Sequence, residues 1–147
     1  MLIDFSDADL PDDCARQLWR WWSAADRHPV PPRREDFDPV EMPRALPGIT
    51  LFEVERDPWR FRVRLVGTRI VEETSRDTTG AYLDELEHCD TIAARARWAA
   101  ENRRAYLMPS APVAWTPRKY KSYSALALPL VDASGCTCMI LYYMTFA

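Results

Sequence analysis

The sequence predicts an α+β domain, and three observations carry that prediction. Short runs with period-two alternation mark strands, and apolar stripes at helical spacing mark helices at 10–25 and 91–107. The longer helix falls between the second and third of five predicted strands, which is not the regular strand–helix alternation of a parallel sheet. The chain has 147 residues, 48% hydrophobic and 28% charged, enough for one folded core and unlike a disordered segment.

Leu10–Ala25 reads as a helix. Pro11 suits a first turn, where its missing N–H costs nothing, and Asp12 and Asp13 favour the positive end. Cys14, Leu18, Trp21 or Trp22, and Ala25 form its stripe. The run LWRWW at 18–22 holds more tryptophan than one stripe takes. Trp19 is therefore expected to reach a second surface, such as a partner chain, and Trp19 and Trp22 are interaction-surface candidates.

His28–Pro47 carries six of the twelve prolines, a density that neither helix nor interior strand tolerates. It reads as an extended arm, with Phe37, Val40, Met42 and Leu46 lying against the domain. Residues 1–47 are expected to be helix plus arm, and 48–147 the domain body.

Ile49–Glu55 and Arg60–Val66 read as a strand hairpin turned at Asp57–Pro58. The second strand alternates Arg60, Arg62 and Arg64 with Phe61, Val63 and Leu65, so the apolar set is expected to face the core. Thr68–Ser75 and Ala81–Glu87 read as short helical pieces around Thr78-Thr79-Gly80. Asp90 is a suitable N-cap for a helix Thr91–Leu107, whose stripe Ile92, Ala96, Ala99 and Tyr106 is mostly small and suits close packing on a sheet. Ser110–Thr116 and Lys121–Val131 follow as strands, with Pro129 marking a bulge or the strand's end. Cys136–Phe146 is apolar enough to be central. Gly48, Gly67, Gly80 and Gly135 all sit at junctions, and none builds a phosphate loop.

Net charge is −3, and residues 90–131 are the one electropositive segment, with seven bases against two acids. Arg95, Arg97, Arg103, Arg104, Arg118, Lys119 and Lys121 make up that run. It reads as a solvated face, and an acidic chain does not favour nucleic acid as a partner. Cys14, Cys89, Cys136 and Cys138 lack the paired spacing of zinc sites, so no metal is expected. The start has no signal-peptide pattern, and the longest uncharged run, Ala133–Ala147, is too short for a bilayer, so a cytoplasmic, membrane-free protein is expected.

The element order, with LWRWW at 18–22, PPRREDFDP at 31–39, ALPGITLFEVE at 45–55, RFRVRLVGT at 60–68, RDTTG at 76–80 and SALALPLVDASG at 124–135, resembles the PAS domain and a group of short bacterial PAS-like proteins. The likeness spans about residues 10–146. It implies a five-stranded antiparallel sheet with helices over one face, and sensory or regulatory work. It supplies no catalytic residues and names no cofactor or ligand.

In such folds the long helix faces the sheet across a cavity. Trp98, Asn102 and Tyr106, at i, i+4 and i+8, are therefore ligand-binding candidates, with Tyr82 and Tyr142 as further hydroxyls and Tyr123 also available. The same residues also read as core fill beside a solvated amide. Arg60, Arg62 and Arg64 are either a solvated row paired with Glu53 and Glu55, or an anion or partner surface crossed by the N-terminal helix or a second subunit. His88-Cys89 suggests a haem ligand, with nothing else supporting it. No catalytic triad, P-loop or converging carboxylate pair is present, so no catalysis is expected. The expected function is a sensory module for a small molecule, a protein partner, or both, acting as a homodimer or on a separate output protein. The alternatives are an isomerase or hydratase on a cone-shaped α+β fold and a ligand-free structural adaptor.

Overall fold

Ile49–Glu55 (β1), Arg60–Val66 (β2), Tyr106–Pro112 (β3), Ser122–Val131 (β4) and Thr137–Phe146 (β5) form one antiparallel sheet in the spatial order β2-β1-β5-β4-β3. The computed structural model describes residues 1–24, 30–118 and 121–147. Ala25, His28 and Lys119, named in the helix stripe, the arm and the basic run, lie outside the described residues. Asp13–Trp22 (α1), Thr68–Thr74 (α2) and Asp90–Asn102 (α3) complete the α+β fold expected from the sequence. Among the described residues no helix is long and apolar enough to cross a membrane.

Strand β5 is buried on both faces of the sheet, which is why it reads as continuously apolar. Ile140, Tyr142 and Met144 join the core that α2 and α3 cover. Leu141 and Tyr143 join a second core on the other face. There Leu10, Ala15 and Leu18 pack with Met42 and Ala45 of the arm against Leu107, Leu126 and Leu128. Helix α1 starts at Asp13, later than expected, because the Asp12 carboxylate serves as the cap. It accepts the Ala15 N–H at 2.8 Å and the Tyr143 hydroxyl at 2.7 Å.

Both sheet edges are closed by main-chain pairing, which blunts the templating tendency of bare edges. Leu2 and Leu107 exchange N–H···O bonds of 2.7 and 2.8 Å along β3. Gly80 and Ala81 bond Val63 on β2, both at 2.8 Å.

The three tryptophans of LWRWW find neighbours within the chain. Trp19 stacks on Trp22 and meets Phe5, Trp21 meets Phe37 edge-on, and the Trp22 indole donates to the Pro129 carbonyl at 2.8 Å. Part of the surplus aromatic surface is thus packed on the N-terminal segment and the arm, and all three tryptophans stay half-buried. Pro129 lies inside β4, opposite Ile140, and beyond Ala127, where pairing with β3 ends. Its missing N–H thus costs no ladder bond.

Several local expectations are corrected. Leu65 leaves the core side and is exposed, because a bulge opposite Leu51–Phe52 inserts one residue into β2. Leu65 then pairs with Leu51 on the outer face, while Phe61 and Val63 stay in the helix-side core. Helix α3 ends at Asn102, not Leu107, because Arg103 adopts a left-handed conformation (φ 52°) that turns the chain into β3. Asp90 is its first residue and Cys89 its cap position. The strand expected at 110–116 is Tyr106–Pro112, and the helical piece expected at 81–87 is only the single 3-10 turn Leu83–Glu85. The N-terminal helix does not cross the arginine row. Helix α1 covers the β3–β4–β5 part of the outer face, whereas the arginines lie on β2 at the opposite edge.

Candidate functional site

The sequence of β4 sets the site. Its alternation sends Tyr123, Ala125 and Ala127 toward α3 and Leu126 and Leu128 toward α1. Helix α3 presents small residues in return, with Ala96, Ala99 and Ala100 buried. The alanines seat the helix closely along part of its length. Elsewhere between α3, the sheet and the 83–86 turn they leave a cavity of about 50 Å³. That is space for about three or four waters.

Most of the cavity wall is apolar, from Phe52, Ile70, Leu83, Leu86, Ile92, Met108 and Met144. The polar groups are few. The Tyr106 and Tyr142 hydroxyls bond each other at 2.8 Å, with their rings crossed at 72°. Arg95 of α3 donates through Nη2 to the Tyr123 hydroxyl at 3.1 Å. Its Nε is buried and has no hydrogen-bond partner, and Arg95 forms no ion pair among the described residues. Arg76 also reaches the rim, but its Nη1 is given to the Trp115 carbonyl at 2.9 Å.

Burial fixes the protonation of the walls. It pushes the Tyr106 phenol up to about 12, with the bond to Tyr142 and the Arg95 charge opposing. It pushes Tyr142 well above its ordinary value and raises Tyr123, against the pull of Arg95. The Cys89 thiol rises to about 11 for the same reason. At neutral pH the three phenols and the thiol are uncharged, so the fixed charges at the site are the half-buried guanidinium of Arg95 and the exposed one of Arg76.

A surface cleft adjoins the cavity on the other side of Arg95. A cleft of about 270 Å³ shares Ile92, Arg95, Met108, Trp115 and Tyr123 with the cavity and is otherwise lined by residues such as His88, Thr91 and Ser110. Arg95 and Tyr123 thus stand at the neck between cleft and cavity.

Of the residues proposed from sequence, Tyr106 and Tyr142 line the cavity. Tyr106 does so from β3 and not from the long helix. Trp98 packs edge-on to Tyr106, with centroids 6.5 Å apart, and lies behind the cavity wall. Asn102 is exposed, and its amide donates back to the Trp98 carbonyl at 2.8 Å. Tyr82 lies outside, with its hydroxyl on Glu55 at 2.6 Å and the Arg60 guanidinium 3.6 Å over its ring. The arginine row is engaged locally. Arg60 makes a two-pronged bond to Asp84 at 2.7 and 2.9 Å, Arg62 reaches the Gly80 carbonyl at 3.4 Å, and Arg64 reaches Glu53 at 3.5 Å. Asp84 holds its carboxyl below the usual range through the bond to Arg60. The Arg60 and Arg62 contacts clasp the 80–85 segment, whose Leu83 lines the cavity, onto the edge of β2, while Arg64 ties β2 to β1.

Sequence reasoning missed Arg95, which it placed among solvated bases. The available signal was its place three residues after Ile92 and four before Ala99, on the flank of the buried stripe. His88 is exposed in the cleft, and the inner cavity is far too small for a porphyrin, so the residues present do not fit haem.

A larger groove of about 540 Å³ lies on the outer face, between the arm and β1–β2. Phe37, Leu51, Leu65 and Met139 line it, with Arg34 as its charged residue, and no buried hydroxyls converge there. It offers shape without chemistry. A family model described as PAS domain matches residues 12–141. Comparison with curated proteins gives no match.

Proposed function

The chain belongs to the PAS domain family, and we propose that it is a ligand-responsive regulatory module whose sensing site is the cavity under α3. Domains of this family are generally sensory and not catalytic. One observation carries the reading: an apolar cavity in the helix-side core is lined by neutral phenols and by an arginine with an unpartnered nitrogen, and it shares the Arg95 wall with a surface cleft. Few convergent polar groups in an apolar pocket are the usual make-up of a small-molecule site.

The same cavity touches the elements that would carry a signal. Leu83 and Leu86 bring the clasped segment to it, and Ile92 and Arg95 bring α3. The side-chain part of the clasp is made of exposed polar contacts, which are weak, and two main-chain bonds to Val63 hold the segment beside them, so it is among the parts of the domain that open at least cost. A ligand that binds one arrangement better shifts the balance by that difference in affinity. A second copy of the chain or a separate protein would read the outcome.

Native mass spectrometry of freshly purified protein, set against the denatured mass of the same sample, tests this. The expected result is a small adduct that vanishes on denaturation. A clean apo mass in protein prepared from several growth conditions would contradict the sensor reading and favour a filled-core adaptor.

A further inference from the structure

We infer that the ligand is a small organic monocarboxylate, with its head group on Arg95 and its short alkyl end in the cavity beneath α3. This rests on the sensor reading and names the chemistry of that site. The buried Nε of Arg95 has no partner, although buried polar groups are almost always bonded. Among the described residues no Asp or Glu lines either the cavity or the cleft, although the chain as a whole is acidic. A neutral ligand would leave the guanidinium without a counter-charge. A carboxylate presents two oxygens in a plane, which matches the fork of Nε and Nη2 once a turn of the Arg95 side chain uncovers the buried Nε.

The site also limits the charge to one. Arg76 also lines the cavity, but it is exposed and water screens its charge, and the tyrosine hydroxyls are uncharged, so a dianion would find one half-buried guanidinium with a buried, unpartnered nitrogen. The apolar remainder limits the tail. A cavity of about 50 Å³ accepts a chain of about three carbons. The cleft beside His88 and Thr91 supplies the way in.

The test uses the full chain, labelled with ¹⁵N, and follows the Arg95 Nε–H resonance and the Tyr123 amide. Sodium butyrate is the probe, butyramide is its neutral counterpart, and sodium chloride controls for ionic strength. Butyrate is expected to shift both signals to saturation, while butyramide and chloride leave them in place. Arg95→Gln is expected to weaken butyrate by about tenfold or more, the loss of a charge-assisted bond. Arg95→Lys and Tyr123→Phe, which keep the charge or the ring, are expected to weaken it by about two- to fivefold. They carry the test if Arg95→Gln loses its dispersed spectrum.

Equal shifts with butyramide would overturn the carboxylate inference while leaving a ligand-binding cavity. Equal shifts with chloride would overturn it in favour of a halide site. No shift with either organic probe would overturn it outright, and the native mass would then decide separately on the sensor reading. Butyrate affinity unchanged in all three variants would also overturn it.

Discussion

Replacing Gly67 by alanine is expected to destabilise the protein by about 3–5 kcal/mol and lower Tm by about 10 °C. The reason is not backbone conformation, since φ is −64° and any residue accepts it. The reason is space. A Cβ at this position would lie 2.3 Å from the Pro47 carbonyl oxygen and 2.6 Å from that of Leu46. Those are main-chain atoms of the arm where it enters β1, and Gly67 N–H bonds the Ile49 carbonyl at 2.7 Å beside them. Neither partner can move without pulling the arm from the sheet.

Gly80 makes the contrasting case. Its φ is +91°, and nothing lies within 4 Å of an added Cβ. Gly80→Ala is therefore expected to cost only about 1 kcal/mol, from conformation alone. Thermal denaturation of the two variants checks both. A Gly67→Ala protein melting within about 2 °C of the parent would contradict the close approach.

The second large effect is expected at Leu18. Its side chain is fully buried at the centre of the outer core, between α1, the arm and the leucines of β4 and β5. Leu18→Ala is expected to cost about 2–5 kcal/mol, by lost transfer energy and an unfilled cavity. A loss below about 1 kcal/mol in urea unfolding would mean that α1 is loosely attached and that the sheet's outer face is stabilised without it. The variant should leave the α3 side unchanged, because the sheet lies between the two cores.

Much of this architecture was legible because its signals are local. The alternation of ITLFEVE and RFRVRLV defined β1 and β2 to the residue. The apolar run of β5 marked the central strand. What escaped depends on geometry that alternation does not encode. The bulge that expels Leu65 is a change of register between partners, visible only once β1 and β2 are paired. The end of α3 is made by Arg103 in a left-handed conformation, without the glycine that usually signals it. Tyr106 therefore moved from a predicted helix face to a strand, yet still meets Trp98 across the core. Arg95 escaped for another reason. A long charged side chain on the flank of a helix can turn to solvent or inward, and only the packing of Tyr123 and Ile92 around it decides. The glycine at 67 was read as a strand end, and its closer cause, the carbonyls of Leu46 and Pro47, lies some twenty residues away in sequence.

Occupancy of the α3 cavity is expected to be felt in α3 and in residues 80–89, which hold the clasped 80–85 segment and lead into the helix. Hydrogen exchange on Ala125→Leu against the parent tests it without knowledge of the ligand. Ala125 is buried and lines the cavity, so the added carbons fill part of that space. Slower exchange is expected in α3 and residues 80–89, with α1 and the arm unchanged. Exchange unaltered in α3 and 80–89, or altered equally throughout the molecule, would contradict it.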